Sequence, residues 1–302
     1  SRKNIVAYWP CEDGTTATEY ASALSGYPSM RVTTSGVTPA AYSTWAASDA
    51  LPTVGVGTLR GTVPTYAYTG EASMRIFVKL PAAGVAATTR LVSVVTSGSA
   101  RVWTVWVNSA GQFDLRAYDS DDTQIFATGF LTYWGNGDQL LIDVALFDSG
   151  FASGWEITVF SIDQSTMYVA QSVSNIGTLG AFTFYQITDI VVGEDGGLGD
   201  TAVGHVALAN DTAAYANTSG SMVAWDGENP SDRFVRLCRE ELISGQSVTL
   251  SRTGNTVVMG PQGRADLLSL LREVVDADLG VMVEPRDQLG LGYRTRLSLY
   301  NQ

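Results

Sequence analysis

Histidine, lysine and cysteine are nearly missing from this chain of 302 residues. Its one histidine, His205, stands in Val203-Gly204-His205-Val206-Ala207. A Ser-His-Asp mechanism needs that imidazole, and no Gly-x-Ser-x-Gly elbow accompanies it. One His with two distant Cys is a poor zinc site. His205 therefore reads as a structural histidine on a strand, sharing a face with Val203 and Ala207. Cys11 and Cys238 are too few for a secreted disulfide scaffold. Cys238 falls on the apolar stripe of an expected helix and reads as a small buried hydrophobe, in keeping with folding in a reducing cytoplasm. Lys3 and Lys79 are the only lysines beside 16 arginines, a bias that reads as the composition of a GC-rich genome. Clustered basic residues of the kind that bind phosphate backbones are lacking, so nucleic acid is a poor partner. No apolar run reaches the roughly 18–20 residues that span a bilayer. The run after the basic Ser1–Asn4 flank is too short for a signal-peptide core. Gly55-Val56-Gly57-Thr58-Leu59-Arg60-Gly61 superficially resembles a nucleotide loop, but its third glycine is one place late and no helix follows.

What is present changes character along the chain. Residues 1–222 hold nine basic and nineteen acidic side chains, −10 of the net −12; residues 223–302 hold nine and eleven in far less chain. The first stretch alternates with period two, the second is charged and helical. Two domains follow, 1–222 and 223–302, with a seam at Asn217-Thr218-Ser219-Gly220-Ser221. Both fit the length prior of about 100–200 residues per domain, and a hydrophobic share of 45% suffices for a sizeable core.

In the first domain Met74, Ile76, Val78 and Leu80 share one face against Arg75, Phe77 and Lys79. Trp103, Val105 and Val107 alternate with Val102, Thr104 and Trp106, and Phe113, Leu115 and Ala117 with Asp114, Arg116 and Tyr118. Further strands are expected at Ile142–Leu146, Trp155–Asp163, Ile187–Val192 and Val203–Leu208, separated by Gly- and Asp-rich turns. Many short strands with no helix between them imply a two-sheet antiparallel jelly-roll sandwich. The one helical turn expected there is at Asp211–Asn217. Trp9, Trp103 and Trp106 read as core. In the second domain Asn229 reads as an N-cap before Pro230, with Phe234, Leu237, Cys238 and Leu242 at helical spacing. A strand is expected at Ser247–Leu250 and a breaker at Met259-Gly260-Pro261-Gln262. A second helix carries Leu267, Leu270, Leu271 and Val274 and ends at Gly280. A hairpin then runs Val281–Glu284, turns at Pro285-Arg286-Asp287 and returns over Leu289–Leu299; it needs the helices to be stable. The fold class is thus mainly β, a jelly-roll sandwich followed by a small α/β (α+β) piece. A chain opening without Met and stopping inside a strand-like pattern reads as part of a longer protein.

Two kinds of site are open to the first domain. Glycoside hydrolysis needs two carboxylates facing each other about 5–9.5 Å apart. Glu156 is followed on its face by Thr158, Phe160 and Ile162, and Asp119, Asp121 and Asp122 fall in a polar turn where Asp bonds its own backbone. Catalytic residues are therefore not assigned. Calcium is the cofactor left open: Glu194, Asp195 and Asp200 flank a glycine-rich loop that offers several oxygens. For a sugar ring the stacking candidates are Tyr133 and Trp134 beside Asn136, together with Tyr42 and Trp45.

Val6-Ala7-Tyr8-Trp9-Pro10 with Glu12-Asp13, Met74 to Leu80, and Val203 to Leu208 resemble the concanavalin A-like, laminin-G-type jelly roll. That resemblance implies glycan or protein binding, often with calcium; none of its metal ligands carries over to a named residue. In the second domain Asp232 to Glu241, Met259 to Gln262, Leu267 to Glu273, Asp276 to Asp278 with Gly280, and Tyr293 to Gln302 resemble tail proteins of long-tailed bacteriophages and prophages of actinobacteria. This implies a virion component of the distal tail, assembled in the bacterial cytoplasm, with other phage tail proteins as partners. It admits a homotrimer in the full-length protein. The expected function is binding of a host cell-surface or cell-wall glycan during adsorption, without bond breaking. An architectural tail decoration and a jelly-roll glycoside hydrolase are the alternatives.

Overall fold

The computed structural model describes residues 4–45, 47–132, 135–148, 153–163, 168–180, 182–212, 224–241, 257–263, 265–284 and 290–300. The chain divides into two compact units, Ser1–Ala216 and Asn217–Gln302. The expected seam, the Asp211–Asn217 turn beyond Thr212, Leu242, the Ser247–Leu250 strand and the Pro285–Asp287 turn lie outside the described residues.

Among the described residues two antiparallel sheets of eight strands each form the first unit. The first sheet runs in the order β14 (Tyr168–Thr178), β13 (Ser153–Asp163), β12 (Gln139–Asp148), β7 (Glu71–Lys79), β16 (Gly199–Ala209), β5 (Leu51–Gly55) and β4 (Thr38–Tyr42). Its remaining strand, β1 (Ile5–Trp9), also pairs with β16. The second sheet runs β11 (Gln124–Ala127), β10 (Phe113–Tyr118), β9 (Val102–Val107), β8 (Thr89–Thr96), β15 (Ile187–Val192), β6 (Thr58–Thr62), β3 (Met30–Thr34) and β2 (Glu19–Tyr20). From β5 to β8 successive strands switch sheets, and β15 and β16 do so again. That winding makes the pair a jelly-roll sandwich, as the alternation implies.

The strand faces follow the period-two pattern. Met74, Ile76 and Val78 of β7 share one core with Trp103, Val105 and Val107 of β9 and with Phe113, Leu115 and Ala117 of β10. Trp9 of the first sheet is fully buried, and its indole N–H donates to Pro28 O at 2.8 Å. A Cβ at Gly61, on β6 of the second sheet, would lie 2.7 Å from the Trp9 ring. The two sheets therefore approach closely there because position 61 has no side chain. Large buried aromatics such as Trp9 and Trp103 hold the layers together; losing one costs about 3–5 kcal/mol.

Two strand-level expectations change. Trp106 is only half-buried and lies outside the core cluster, on the side of β9 turned away from Trp103, Val105 and Val107. His205 does not sit on a regular strand between Val203 and Ala207. It has φ 46°, and the β16–β7 register shifts between Gly204 and Ala207, which marks a bulge.

The second unit packs α1 (Pro230–Glu240) and α2 (Leu267–Asp278) around Phe234, Leu237, Cys238, Met259, Leu270, Leu271, Val274 and Tyr293. Pro230 opens α1 after an extended Asn229, whose side chain makes no capping bond. Asp266 caps α2 by accepting from the Ser269 N–H at 3.0 Å. Leu279, not Gly280, takes the left-handed cap position, at φ 54°. Gly280 answers a different need: a Cβ there would meet Arg294 O at 2.6 Å, across the hairpin of β17 (Val281–Val283) and β18 (Gly292–Arg294).

The return strand expected over Leu289–Leu299 is shorter. It is three residues long, and the chain then enters α3 (Arg296–Tyr300). Local hydrogen bonding causes the switch. Asp278, 1% exposed, accepts from Tyr293 Oη at 2.8 Å and from Arg296 N at 2.9 Å. Thr295 Oγ1 accepts from Ser298 N at 3.4 Å. A buried carboxylate thus ends the strand and starts the helix. The Phe234 and Tyr293 rings stack at 5.2 Å, which ties the two-stranded hairpin to α1.

Candidate functional site

The residues expected to meet a sugar ring are dispersed. Tyr133 and Trp134 lie outside the described residues. Trp45 is 2% exposed and stacked on Phe77 at 4.7 Å and 20°, so it closes over the outer side of the first sheet. This corrects its reading as a loop ring open to a pyranose: Phe77 already covers it. Tyr42 is half-buried, and its hydroxyl accepts from Gln139 Nε2 at 2.6 Å. Asn136 wedges between two turns. Its Nδ2 donates to Ser109 O at 2.9 Å, and a Cβ at Gly84 or Gly111 would come within 2.6 Å of its amide. It holds loops in place.

The acidic loop after β15 is turned to an arginine. Glu194 Oε2 accepts from Arg90 Nη1 at 2.9 Å, and Asp195 Oδ2 stands 3.5 Å from Arg90 Nε. Among the described residues no three His, Cys, Asp or Glu side chains gather to hold a metal. Calcium needs six or more oxygens; here Glu194 and Asp195 are both turned to the Arg90 guanidinium. Asp119 Oδ1 accepts from the N–H groups of Asp121 and Thr123 at 2.9 Å each, an Asx turn.

His205 Nδ1 and the Tyr8 hydroxyl are 2.8 Å apart. His205 Nε2 is 3.3 Å from Glu12 Oε1 but is not aligned with it for a hydrogen bond. Glu12 Oε1 also accepts from Ser48 Oγ and Asp49 N, each at 2.9 Å. The Phe77 ring lies 4.6 Å from the imidazole. The cluster closes on itself and fastens the 48–49 loop to the bulge in β16, which is the work of a structural histidine.

The side of the second sheet turned away from the core carries a different chemistry. Register places Arg90 opposite Trp106, Trp106 opposite Asp114, and Thr104 opposite Arg116. The Arg90 guanidinium lies 5.4 Å from the Trp106 ring and 5.8 Å from the Tyr118 ring. Arg116 lies 4.5 Å from Trp106 and 5.8 Å from Phe130. These are cation–π distances. Asp114 Oδ2 accepts from Arg116 Nε at 2.7 Å, and its Oδ1 from Thr128 Oγ1 at 2.9 Å. Ser93 and Thr104 share a hydrogen bond at 3.0 Å. Further along, Arg60 pairs with Asp189 at 3.2 Å and stands opposite Arg31. Burial alone would lower the pKa of Arg90, but the Glu194 hydrogen bond and the charges of Asp195 and Glu194 outweigh it and raise it. Arg90 Nε and Trp106 Nε1 are both buried, and among the described residues neither has a hydrogen-bond partner.

Four of the nine basic residues of residues 1–216, namely Arg31, Arg60, Arg90 and Arg116, thus share one sheet face with Trp106 and Tyr118. Ser93, Thr104 and Asp114 are buried beneath these side chains, and an array of rings and guanidinium forks of this kind suits the apolar faces and polar edges of a sugar. The strand alternation contained its signal: Arg116 and Tyr118 share one phase of β10, and Trp106 shares the phase of Thr104 on β9. Which strands lie side by side, and in what register, comes only from the structure.

No family model matches the chain, and no curated protein matches it. Among solved structures, the binding domain of botulinum neurotoxin serotype C1 is similar at a TM-score of 0.48 and 9% identity, over 76% of this chain and 53% of that one. A structure of botulinum neurotoxin type C, which depends on two ganglioside molecules to enter cells, is similar at 0.43 and 10%, over 76% and 53%. Alginate lyase vAL-1 from Chlorella virus is similar at 0.36 and 9%, over 51% of this chain and 76% of that one. The chain spans about half the length of the neurotoxin binding domains it matches. At these identities the likeness is one of chain path alone.

Proposed function

We propose that the first unit is a glycan-binding sandwich carried on a bacteriophage tail protein, and that it holds a host cell-surface or cell-wall glycan during adsorption. One observation carries the binding reading: the Arg90–Trp106–Arg116–Tyr118 array on the outer face of the second sheet. Ring faces give stacking area, while the guanidinium and hydroxyl groups give directed hydrogen bonds. The tail assignment, the virion location and the tail-protein partners rest on the resemblance of residues 232–302 to actinobacterial phage tail proteins.

An architectural decoration calls for a broad apolar patch on one sheet face. The outer face of the second sheet, with its arginines and carboxylates, favours the binding reading. A hydrolase needs a carboxylate pair held toward a substrate; Asp114, Asp189 and Glu194 are each turned to an arginine, which supports holding over cleavage. Glycan-array binding by the full chain tests the reading. Signal is expected on a restricted set of glycans and is expected to be lost in Trp106→Ala. Equal signal from the variant would remove this face from the proposal.

A further inference from the structure

We infer that the glycan taken by the second sheet is acidic, and that a sugar carboxylate replaces Glu194 and Asp195 on Arg90. The inference rests on the glycan-binding reading above and names its ligand class.

Charge placement is the first ground. Residues 1–216 carry far more acid than base, yet four of their nine basic side chains stand on this one face, where they are set against Glu19, Asp189, Glu194 with Asp195, and Asp114. Diffuse solubility does not require such a gathering. The second ground is the state of Arg90. Glu194 engages Nη1 well, at 2.9 Å, but Asp195 meets Nε only at 3.5 Å and leaves it without a hydrogen bond. A planar oxyanion that spans the fork would satisfy both nitrogens together, the geometry in which Arg and carboxylate pair most strongly. The internal carboxylates thus occupy the place of such a group with only part of its contacts.

Exchange is also accessible. Side-chain exposure is 32% for Arg90, 43% for Glu194 and 40% for Asp195, so the pairs are solvent-screened and weakly held. The loop backbone need not move. Gly193 N donates to Leu91 O at 3.1 Å, and Thr89 Oγ1 donates to Gly196 O at 2.7 Å, so rotation of two side chains suffices. Trp106 and Tyr118 stay beside the guanidinium and border the incoming sugar.

The test compares the full chain with its Arg90→Gln and Glu194→Gln/Asp195→Asn variants. The probes are polygalacturonate, the same polymer after carboxyl reduction, and polyglycerol phosphate, all measured by calorimetry. Polygalacturonate is expected to bind, and the reduced polymer to bind at least about tenfold more weakly. Glu194→Gln/Asp195→Asn is expected to tighten polygalacturonate by about tenfold, a gain that misfolding cannot produce, and Arg90→Gln to weaken it by at least as much. Equal binding of native and reduced polymer, or no change in either variant, overturns the acidic-ligand inference but leaves glycan binding standing. Binding of polyglycerol phosphate alone replaces carboxylate by phosphate and also overturns it. Failure of every polymer here and every glycan on the array defeats the binding reading itself.

Discussion

Gly61→Ala tests how the two sheets meet. The added Cβ would stand 2.7, 2.9 and 3.0 Å from Cη2, Cζ2 and Cζ3 of Trp9, where carbon atoms prefer about 3.5–4.0 Å. The indole has little room to retreat, because it is fully buried and its N–H is tied to Pro28 O at 2.8 Å. Overpacking of this kind costs about 1–3 kcal/mol. Removing a flexible glycine from a strand returns about 0.5–1 kcal/mol. The middle of these ranges gives a net loss of about 1.2 kcal/mol, which for a urea m-value of about 3 kcal/mol/M lowers the unfolding midpoint by about 0.4 M. Urea unfolding followed by far-ultraviolet circular dichroism reads it. In a Trp9→Leu background, where the ring is gone, the same alanine should cost nothing or stabilise. A Gly61→Ala midpoint at or above wild type, or an equal cost in both backgrounds, would refute the proposed inter-sheet contact.

Three further outcomes are expected. Glu12→Ala should cost about 1–3 kcal/mol and speed hydrogen exchange at the Asp49 amide, whose acceptor is Glu12 Oε1; an unchanged exchange rate would remove Glu12 from its place as the loop's anchor. Asp278→Ala should destabilise the second unit by about 1–3 kcal/mol, because it strips partners from Tyr293 Oη and Arg296 N inside the fold; loss of the α3 helical NMR shifts would report it. Asp266 is exposed, and its hydrogen bonds from Ser269 lower its pKa below the ordinary carboxylate value. Its folded form is therefore the weaker proton binder. Its contribution is present above the ordinary carboxylate pKa of about 3.9 and fades as pH falls through the lowered value. The stability gap between wild type and Asp266→Ala should be open at neutral pH and close in strong acid; a gap independent of pH contradicts the cap.

Strand faces were legible wherever alternation met a simple burial boundary, as at Met74, Ile76 and Val78 or at Phe113, Leu115 and Ala117. Trp106 shows the limit of composition: its size argues for the core, whereas the pleat puts it on the side of β9 opposite Trp103, Val105 and Val107. At the acidic loop after β15 the sequence shows the carboxylates and hides their partner. Arg90 is more than a hundred residues earlier and is brought to them by the β8–β15 pairing. The helix at Arg296 follows from a carboxylate in a different helix, Asp278, so no local pattern in residues 289–299 announces it.

On the proposed function, the outer face of the second sheet holds a glycan. Its most direct measurement is retention of the full chain on purified actinobacterial cell-wall polysaccharide, with a folded Trp106→Ala/Tyr118→Ala variant run beside it. Wild type should be retained and the variant should elute with the void. A variant retained as firmly as wild type would place the binding elsewhere and contradict the account.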